Sequence, residues 1–598
     1  MTIELQNTGR ASQVDDPDCA AATTLVELLT ARALRQPDDT RFIFLGDGEN
    51  ETSTLTYAAV DTAARAIAAR LGTVARQGDR ALLLYAPGLD FVEAFYGCLY
   101  AGIIAVPVAP PQISKLESSL ARLAAIRASA GAQLMLTTSD IAGQLAAIPA
   151  GFDGFAGLET LATDTIDRGA ATDAELPVVA ADSVAYLQYS SGSTGQPKGV
   201  VLTHRNVLSN NALVRDNAEL GRQSWGVSWL PTYHDMGLLS AVTQPVFSDS
   251  TIVKMSPLSF VQQPVRWIAA LAKYRAVITA APNFAYALAV QRVSAERVAT
   301  FDLSHLKIAL CGAEPIRPAA MAKFAAHFAP AGLDARSLFP CYGLAEATLF
   351  VTGGPLGSGV RTRKADPEQL AAHRFVPDEA DGREIVSSGR TNHGFTMAIV
   401  DLETLRTLPD GQIGEICIAG DSVGQGYWES PELSAESFGI QLPDRDGNFL
   451  RTGDLGFLLD DELYVTGRLK DLIIVDGHNH YPTDIEATVM ASHDALRLDR
   501  CVAFQVDGAA NAGIVVVAEI DRGWQVVDDV DDNAAEVKQV RASEVDRAVR
   551  AAVGEKHGLR PSDVVLVAAS TLPLTSSGKL QRYAAKATYA GGGFTKLG

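Results

Sequence analysis

The sequence predicts an α/β protein in which largely parallel sheets are covered by helices, followed by a small α+β unit. Two observations carry that expectation. Apolar runs of strand length alternate with alanine-rich helical stretches through most of the chain, as a parallel sheet with helical crossovers requires. Beyond about Val400 the texture changes to short strands separated by turn residues such as Pro409-Asp410-Gly411 and Asp460-Asp461. The 598 residues also exceed the ~250–300 at which a single core stops growing, so several packed units are expected.

In chain order, residues 80–85 (RALLLY) read as a buried strand, 91–101 as the helix after it and 103–108 as the next strand. Residues 118–129 form a helix and 133–137 a strand, and the alternation resumes at 276–279, 284–290 and 307–310. Short strands follow at 414–419, 463–465 and 472–475. From Thr483 onward, helices at 484–492 and 543–556 are separated by strands at 501–505 and 514–519. The acidic run 528–533 reads as a solvated loop. The boundary falls within Gly467-Arg468-Leu469-Lys470-Asp471, dividing the chain into residues 1–468 and 469–598.

Composition narrows the function. With 50 Lys+Arg against 70 Asp+Glu the net charge is −20, and such a surface repels phosphate backbones, so nucleic acid is not an expected partner. Cys19, Cys98, Cys311, Cys341, Cys417 and Cys501 lie far apart, with neither a C-x-x-C pair nor Cys/His metal spacing, which points to a reducing compartment. Residues 1–13 lack the apolar stretch of a signal peptide. Residues 94–114 carry no charge, but Pro107, Pro110 and Pro111 interrupt them and Asp90 and Glu93 precede them. They read as a helix running into a short strand, not as the ~20-residue span a bilayer needs. The expectation is a cytoplasmic protein without a membrane span. No heptad pattern or oligomer seam is evident, so a monomer is expected.

The strongest local signal is Tyr186-Leu-Gln-Tyr-Ser-Ser-Gly-Ser-Thr-Gly-Gln-Pro-Lys-Gly199. An apolar strand feeds a loop of glycines and hydroxyls, with Lys198 close behind. Such a loop offers backbone N–H groups, hydroxyls and one point charge to phosphate oxygens. It lacks the Gly-Lys-Ser/Thr of a Walker A loop.

Ser190-Ser191-Gly192-Ser193-Thr194-Gly195-Gln196-Pro197-Lys198-Gly199 resembles the phosphate loop of the adenylate-forming superfamily. Further matches follow in that family's order: Pro231-Thr-Tyr-His-Asp-Met-Gly237, Gly312-Ala-Glu-Pro315, Tyr342-Gly-Leu-Ala-Glu346, Arg451-Thr-Gly-Asp454, Gly467-Arg-Leu-Lys-Asp471 and Leu574-Thr-Ser-Ser-Gly-Lys579. The resemblance runs from about Thr24 to Ala585. It implies a large N-terminal adenylation domain with mixed and parallel sheets and a distorted barrel-like part, and a small mobile C-terminal domain.

The resemblance also implies roles. Carboxylate attack on the α-phosphorus of ATP expels pyrophosphate, so charge must be neutralised at several points. Ser190, Ser191, Gly192, Ser193, Thr194, Gly195 and Lys198 are expected around the phosphates, Tyr342 is expected to stack on the adenine, and Gly312, Ala313, Glu314 and Gly343 are expected to bind the nucleotide. Asp454 is expected on the ribose hydroxyls with Arg468 in support, and Glu346 on Mg²⁺. Lys579 is expected to bridge carboxylate and α-phosphate, His234 to sit near the carboxylate, and Lys470 to act as the hinge between two half-reactions. His478 and His480 could share one strand face, but no third metal ligand is visible.

Three features resemble the fatty acyl-AMP ligase branch: the Pro-Thr-Tyr-His-Asp-Met-Gly-Leu form of the histidine motif, the segment Asp476-Gly-His-Asn-His-Tyr-Pro-Thr-Asp-Ile-Glu486, and an extra stretch at about 354–383. In that branch the extra stretch is thought to restrain the C-terminal domain and disfavour coenzyme A. The implied activity is activation of a medium- or long-chain fatty acid, then transfer to the phosphopantetheine thiol of an acyl carrier protein serving polyketide or nonribosomal peptide synthesis. The alternatives are an acyl-CoA synthetase and an inactive acyl-nucleotide-binding module. Two departures stand out: Ala345 replaces a threonine common in relatives, and Asp302 in Phe301-Asp-Leu-Ser304 imitates an amino-acid-binding motif at the wrong place, so it reads as a strand or helix cap. Apolar residues at 225–239 and 282–290 could wall an alkyl tunnel.

Overall fold

A computed structural model describes residues 16, 18, 21–111, 116–147, 153–155, 157–171, 176–190, 197–391, 394–475, 478–506, 513–528, 538–575 and 578–597. One sheet of six strands runs, in spatial order, Glu159–Ala162, Leu134–Thr137, Arg80–Leu84, Ile104–Val108, Val184–Ser190 and Lys198–Thr203. All neighbours are parallel except the last pair. Ala81 to Leu84 are buried in succession, without alternation, because helices cover both faces of such a sheet. The helix Asp90–Tyr100 carries Asp90 and Glu93 in its first turn, where carboxylates offset the positive end of the helix dipole. It runs into the strand Ile104–Val108, as the sequence led one to expect.

The second sheet joins two halves. Its parallel half contains Leu338–Gly343, Ile308–Cys311, Ile278–Ala281, Trp225–Ser228, Thr251–Met255 and Thr40–Leu45. Beyond Leu338–Gly343 the pairing turns antiparallel, through Phe350–Gly353, Arg383–Thr391, Glu462–Arg468, Arg445–Leu459, Gly414–Gly420 and Phe395–Val400. The expected strand at 276–279 begins two residues later, and 284–290 lies inside the helix Asn283–Arg292. Asp302 closes a turn, accepting from the amide and hydroxyl of Ser304 at 3.0 and 2.6 Å. It caps no helix or strand.

After Arg468 a 3-10 turn, Leu469–Asp471, leads into the C-terminal unit. There Leu496–Val506 pairs antiparallel with Gly513–Ile520, which pairs parallel with Pro561–Val567. The helices Pro482–Ala491 and Ala542–His557 pack on one face through Ile485, Val489, Val545, Val549 and Val553. Arg582–Ala590 packs on the other through Ala585 and Tyr589. The last strand and last helix were not foreseen. Apart from exposed Asp528, the acidic run lies outside the described residues, as do residues 1–13.

Residues 354–383 are folded onto the large unit. Thr362–Ala365 pairs with Arg383–Thr391, Leu370 on the short helix Pro367–Ala371 is buried, and Phe375 stacks on Phe457 at 5.0 Å. No helix of the described residues is long and apolar enough to cross a membrane.

Candidate active site

The expected motifs converge because most of them leave the carboxyl ends of parallel strands, where α/β sheets place their ligand crevices. Ser190 ends one strand and Lys198 begins its antiparallel neighbour, opposite it in register. Residues 191–196, including Ser191, Gly192, Ser193, Thr194 and Gly195, lie outside the described residues. Gly312, Ala313 and Glu314 follow the strand Ile308–Cys311, and Tyr342 and Gly343 end Leu338–Gly343. All of these described residues from Lys198 to Gly343 line one cleft of about 3000 Å³, together with His234, Glu346, Asp454, Arg468, Lys470 and Lys579.

Two glycines are fixed by space. A Cβ on Gly237 would lie 2.0 Å from the Pro231 carbonyl oxygen, so the turn carrying His234 closes only with glycine there. A Cβ on Gly343 would lie 1.7 Å from the Leu349 oxygen. Both are far inside van der Waals contact.

The end of the cleft at which the nucleoside is expected is a hydrogen-bonded chain. The Tyr342 hydroxyl donates to Asp454 Oδ2 at 2.8 Å, and Arg468 Nε donates to Asp454 Oδ1 at 3.0 Å. Asp454 and Arg468 are register partners on adjacent strands. The strand segment bearing Asp454 is held by buried Glu415, which accepts from Arg451 Nε at 2.7 Å and from the Gly453 amide at 3.0 Å. Arg451 therefore serves the geometry of that segment, and its pairing with a buried carboxylate is of the strong, charge-assisted kind.

At the end where the phosphates are expected, Glu346 sits on the 3-10 turn Ala345–Ala347 and accepts from the Tyr427 hydroxyl at 3.0 Å. Burial raises its carboxyl above the ordinary range, opposed by that hydrogen bond and by Arg468. Lys198 Nζ lies 5.2 Å from the centre of the Tyr427 ring, a cation–π contact. Burial lowers its ammonium, as does nearby Lys470, against the pull of Glu346. Among the described residues no group of three or more His, Cys, Asp or Glu side chains could hold a metal, His478 and His480 included. A Mg²⁺ bound through one carboxylate and substrate phosphates needs no such cluster. The single carboxylate of Glu346, half-buried beside a lysine suited to phosphate, fits that donor set.

Lys579 reaches the same cleft from the C-terminal unit. Its loop is closed by Thr575, whose amide donates to the Lys579 carbonyl at 2.7 Å and whose hydroxyl accepts from the Lys579 amide at 3.0 Å. Burial lowers its ammonium, offset by Asp235 and Glu314. His234, just before the helix Asp235–Leu238, is pushed down to about 3 by burial and by the charges of Lys579 and Arg122. Its imidazole is neutral at physiological pH and able to accept or donate a hydrogen bond.

Three participants were not foreseen. Tyr427 sits in a Gly-Tyr-Trp stretch between turns, Arg122 on an alanine-rich helix, and Glu415 inside a strand. No spacing rule marks any of them. The two units also meet outside the cleft, through the ion pairs Arg317–Asp499 and, at 2.9 Å, Arg383–Asp484. Asn479 Nδ2 donates to the Ala371 carbonyl at 3.2 Å and lies 2.9 Å from His373 Nε2.

Comparison with known proteins gives the family. The AMP-binding enzyme family matches residues 29–428, and the Disco-interacting protein 2-like AMP domain matches 470–596. The medium-chain-fatty-acid–[acyl-carrier-protein] ligase JamA of Moorena producens is 38% identical over 95% of each chain. The 4-hydroxyphenylalkanoate adenylyltransferase of Mycobacterium marinum is 36% identical over 96% of this chain and 92% of its own. The fatty acyl-adenylate ligase of Legionella pneumophila, solved with acyl adenylate and pyrophosphate, superposes with TM-score 0.74 at 36% identity, covering 96% of this chain and 97% of that one. With relatives of this extent over nearly the whole chain, the chain belongs to the AMP-binding enzyme family, in its fatty acyl-AMP ligase branch.

Proposed function

We propose that the protein activates a medium- or long-chain fatty acid with ATP and passes the acyl group to the phosphopantetheine thiol of an acyl carrier protein. The observation that carries this reading is the meeting of Lys579, from the C-terminal unit, with His234, Asp235 and Glu314 of the large unit in one cleft. That is the arrangement the adenylation half-reaction needs: a cation beside the point where carboxylate and α-phosphate meet.

Asp454 receives the ribose hydroxyls, a role supported by its ties to Tyr342 and Arg468. Lys198 and the loop 190–195 neutralise the phosphates. Glu346 would hold Mg²⁺, which supplies charge neutralisation for departing pyrophosphate. A fatty carboxylate oxygen attacks the α-phosphorus, the bond to the bridging oxygen of pyrophosphate breaks, and acyl adenylate forms. Lys579 stabilises the charge spread over the reacting oxygens. Neutral His234 orients the carboxylate without pairing with it as a cation.

Transfer requires Lys579 to leave the cleft so that a thiol can reach the acyl carbon. Lys470, on the 3-10 turn between the units, is the natural hinge, dividing residues 1–468 from 469–598. The thiolate displaces AMP and a thioester results. The acceptor is assigned to a carrier protein of a polyketide or nonribosomal peptide synthase, supported by the similarity to JamA, an acyl-carrier-protein ligase, and by the folded stretch 354–383, which touches the C-terminal unit at Asn479. A monomer acting in the cytoplasm accords with the sequence.

The test is fatty-acid-dependent pyrophosphate release followed by mass analysis of a holo-carrier protein. Acylated carrier is expected. ATP binding without pyrophosphate release would favour an inactive module instead.

A further inference from the structure

Between the cleft and the molecule's interior runs a wall whose far end is polar. From His234 the chain continues helically through Asp235–Leu238, the π-helical Leu239–Thr243 and Gln244–Phe247. Met236, Ser240 and Gln244, spaced one turn apart and so on one face, all line the cleft. Gln244 lies about 15 Å of helical rise beyond His234. The row Ile252, Gly226 and Ile278, which are cross-strand register partners, lines the same cleft. At its centre the two isoleucines close over Gly226, where a Cβ would meet Ile252 Cδ1 at 3.0 Å and Ile278 Cγ2 at 3.3 Å.

Gln244 is 3% exposed. Its amide nitrogen donates to the Asn211 carbonyl at 3.1 Å and to Ser248 Oγ at 2.6 Å. Those two acceptors fix the amide orientation, because a carbonyl cannot donate to the oxygen. The Gln244 amide oxygen then has no hydrogen-bond partner among the described residues. A buried acceptor without a donor is costly, and an alkyl terminus would leave it so.

We propose that Gln244 is a specificity-determining residue whose amide oxygen accepts a hydrogen bond from a hydroxyl near the distal end of the acyl chain. The substrate class is then a hydroxylated medium-chain alkanoic acid instead of a plain one. This rests on the acyl-activating reading above. The isoleucines of the cleft suit the methylenes, and Gln244 would read the tail, beside Asn211, whose Nδ2 likewise has no partner among the described residues. A pocket that hydrogen-bonds a substrate hydroxyl discriminates against the analogue lacking it far more than an apolar pocket can discriminate by size.

The experiment compares kcat/KM for acyl-adenylate formation with octanoate, decanoate and dodecanoate against their ω-hydroxy counterparts. In the wild type a hydroxy acid is expected to exceed its parent at one of these lengths by about ten- to hundredfold, the scale of one buried unpaired acceptor. In Gln244→Leu the same ratio is expected to fall below one. The wild-type comparison stands even if the variant does not fold. Plain acids preferred at every length, or a ratio untouched by the substitution, would overturn the proposal and leave the oxygen to a buried water. Failure to adenylate any acid would instead overturn the acyl-activating reading, and the proposal with it.

Discussion

Tyr342 and Asp454, far apart in sequence, are joined by a hydrogen bond of 2.8 Å from the phenolic hydroxyl to the carboxylate. The aromatic ring expected against adenine and the carboxylate expected on ribose are thereby one unit, with Arg468 completing it. Asp454→Ala should raise the KM for ATP by about 10–100-fold, the scale of hydrogen bonds to a charged group. Tyr342→Phe should cost several-fold by the same measurement, because Arg468 still holds the carboxylate. Equal KM values for both variants and wild type would refute the ribose role.

Lys579→Ala should lower acyl-adenylate formation on the order of 10²–10³-fold, the effect of losing one charge-stabilising donor at a reacting centre. Pyrophosphate release in single turnover is the measurement. Near-wild-type rates would remove Lys579 from the chemistry.

Part of this site was legible because several motifs sit at strand ends, where backbone direction is dictated by the strand. Gly312 and Tyr342 are of this kind, whereas Asp454 lies inside the strand Arg445–Leu459. Tyr427, Arg122 and Glu415 were not legible, since their roles come from contacts made across long sequence separations. The fold shows the same division. The strand at 80–84 announced itself by continuous burial, whereas the helix Arg582–Ala590 buries only Ala585, too little to produce a helical period.

Lys254 offers a test of stability separate from catalysis. It lies in the parallel strand Thr251–Met255, 4% exposed, with no partner for Nζ among the described residues, and burial lowers its ammonium to about 7. The unfolded chain holds that proton until pH of about 10, so between pH 7 and 10 the unfolded state binds more protons and stability rises with pH. From pH 7.5 to 9 the wild type should gain about 1–2 kcal/mol relative to Lys254→Met, by urea unfolding. Identical slopes would show that Lys254 is not titrating in the folded core.

Contacts of the 354–383 stretch bear on acceptor choice. Asn479 reaches the Ala371 carbonyl and His373, and Arg383 pairs with Asp484. If these contacts hold the C-terminal unit against coenzyme A, Asn479→Ala should raise acyl-CoA formation about tenfold over the wild-type background, the result of ~1.4 kcal/mol. Unchanged acyl-CoA formation would detach these contacts from acceptor choice.

The most direct test of the account is product analysis with radiolabelled dodecanoate, ATP and Mg²⁺, with and without coenzyme A. The account predicts acyl adenylate that persists when coenzyme A is present. Rapid conversion to acyl-CoA would contradict it and make the protein a synthetase, with the 354–383 stretch no more than a folded surface insertion.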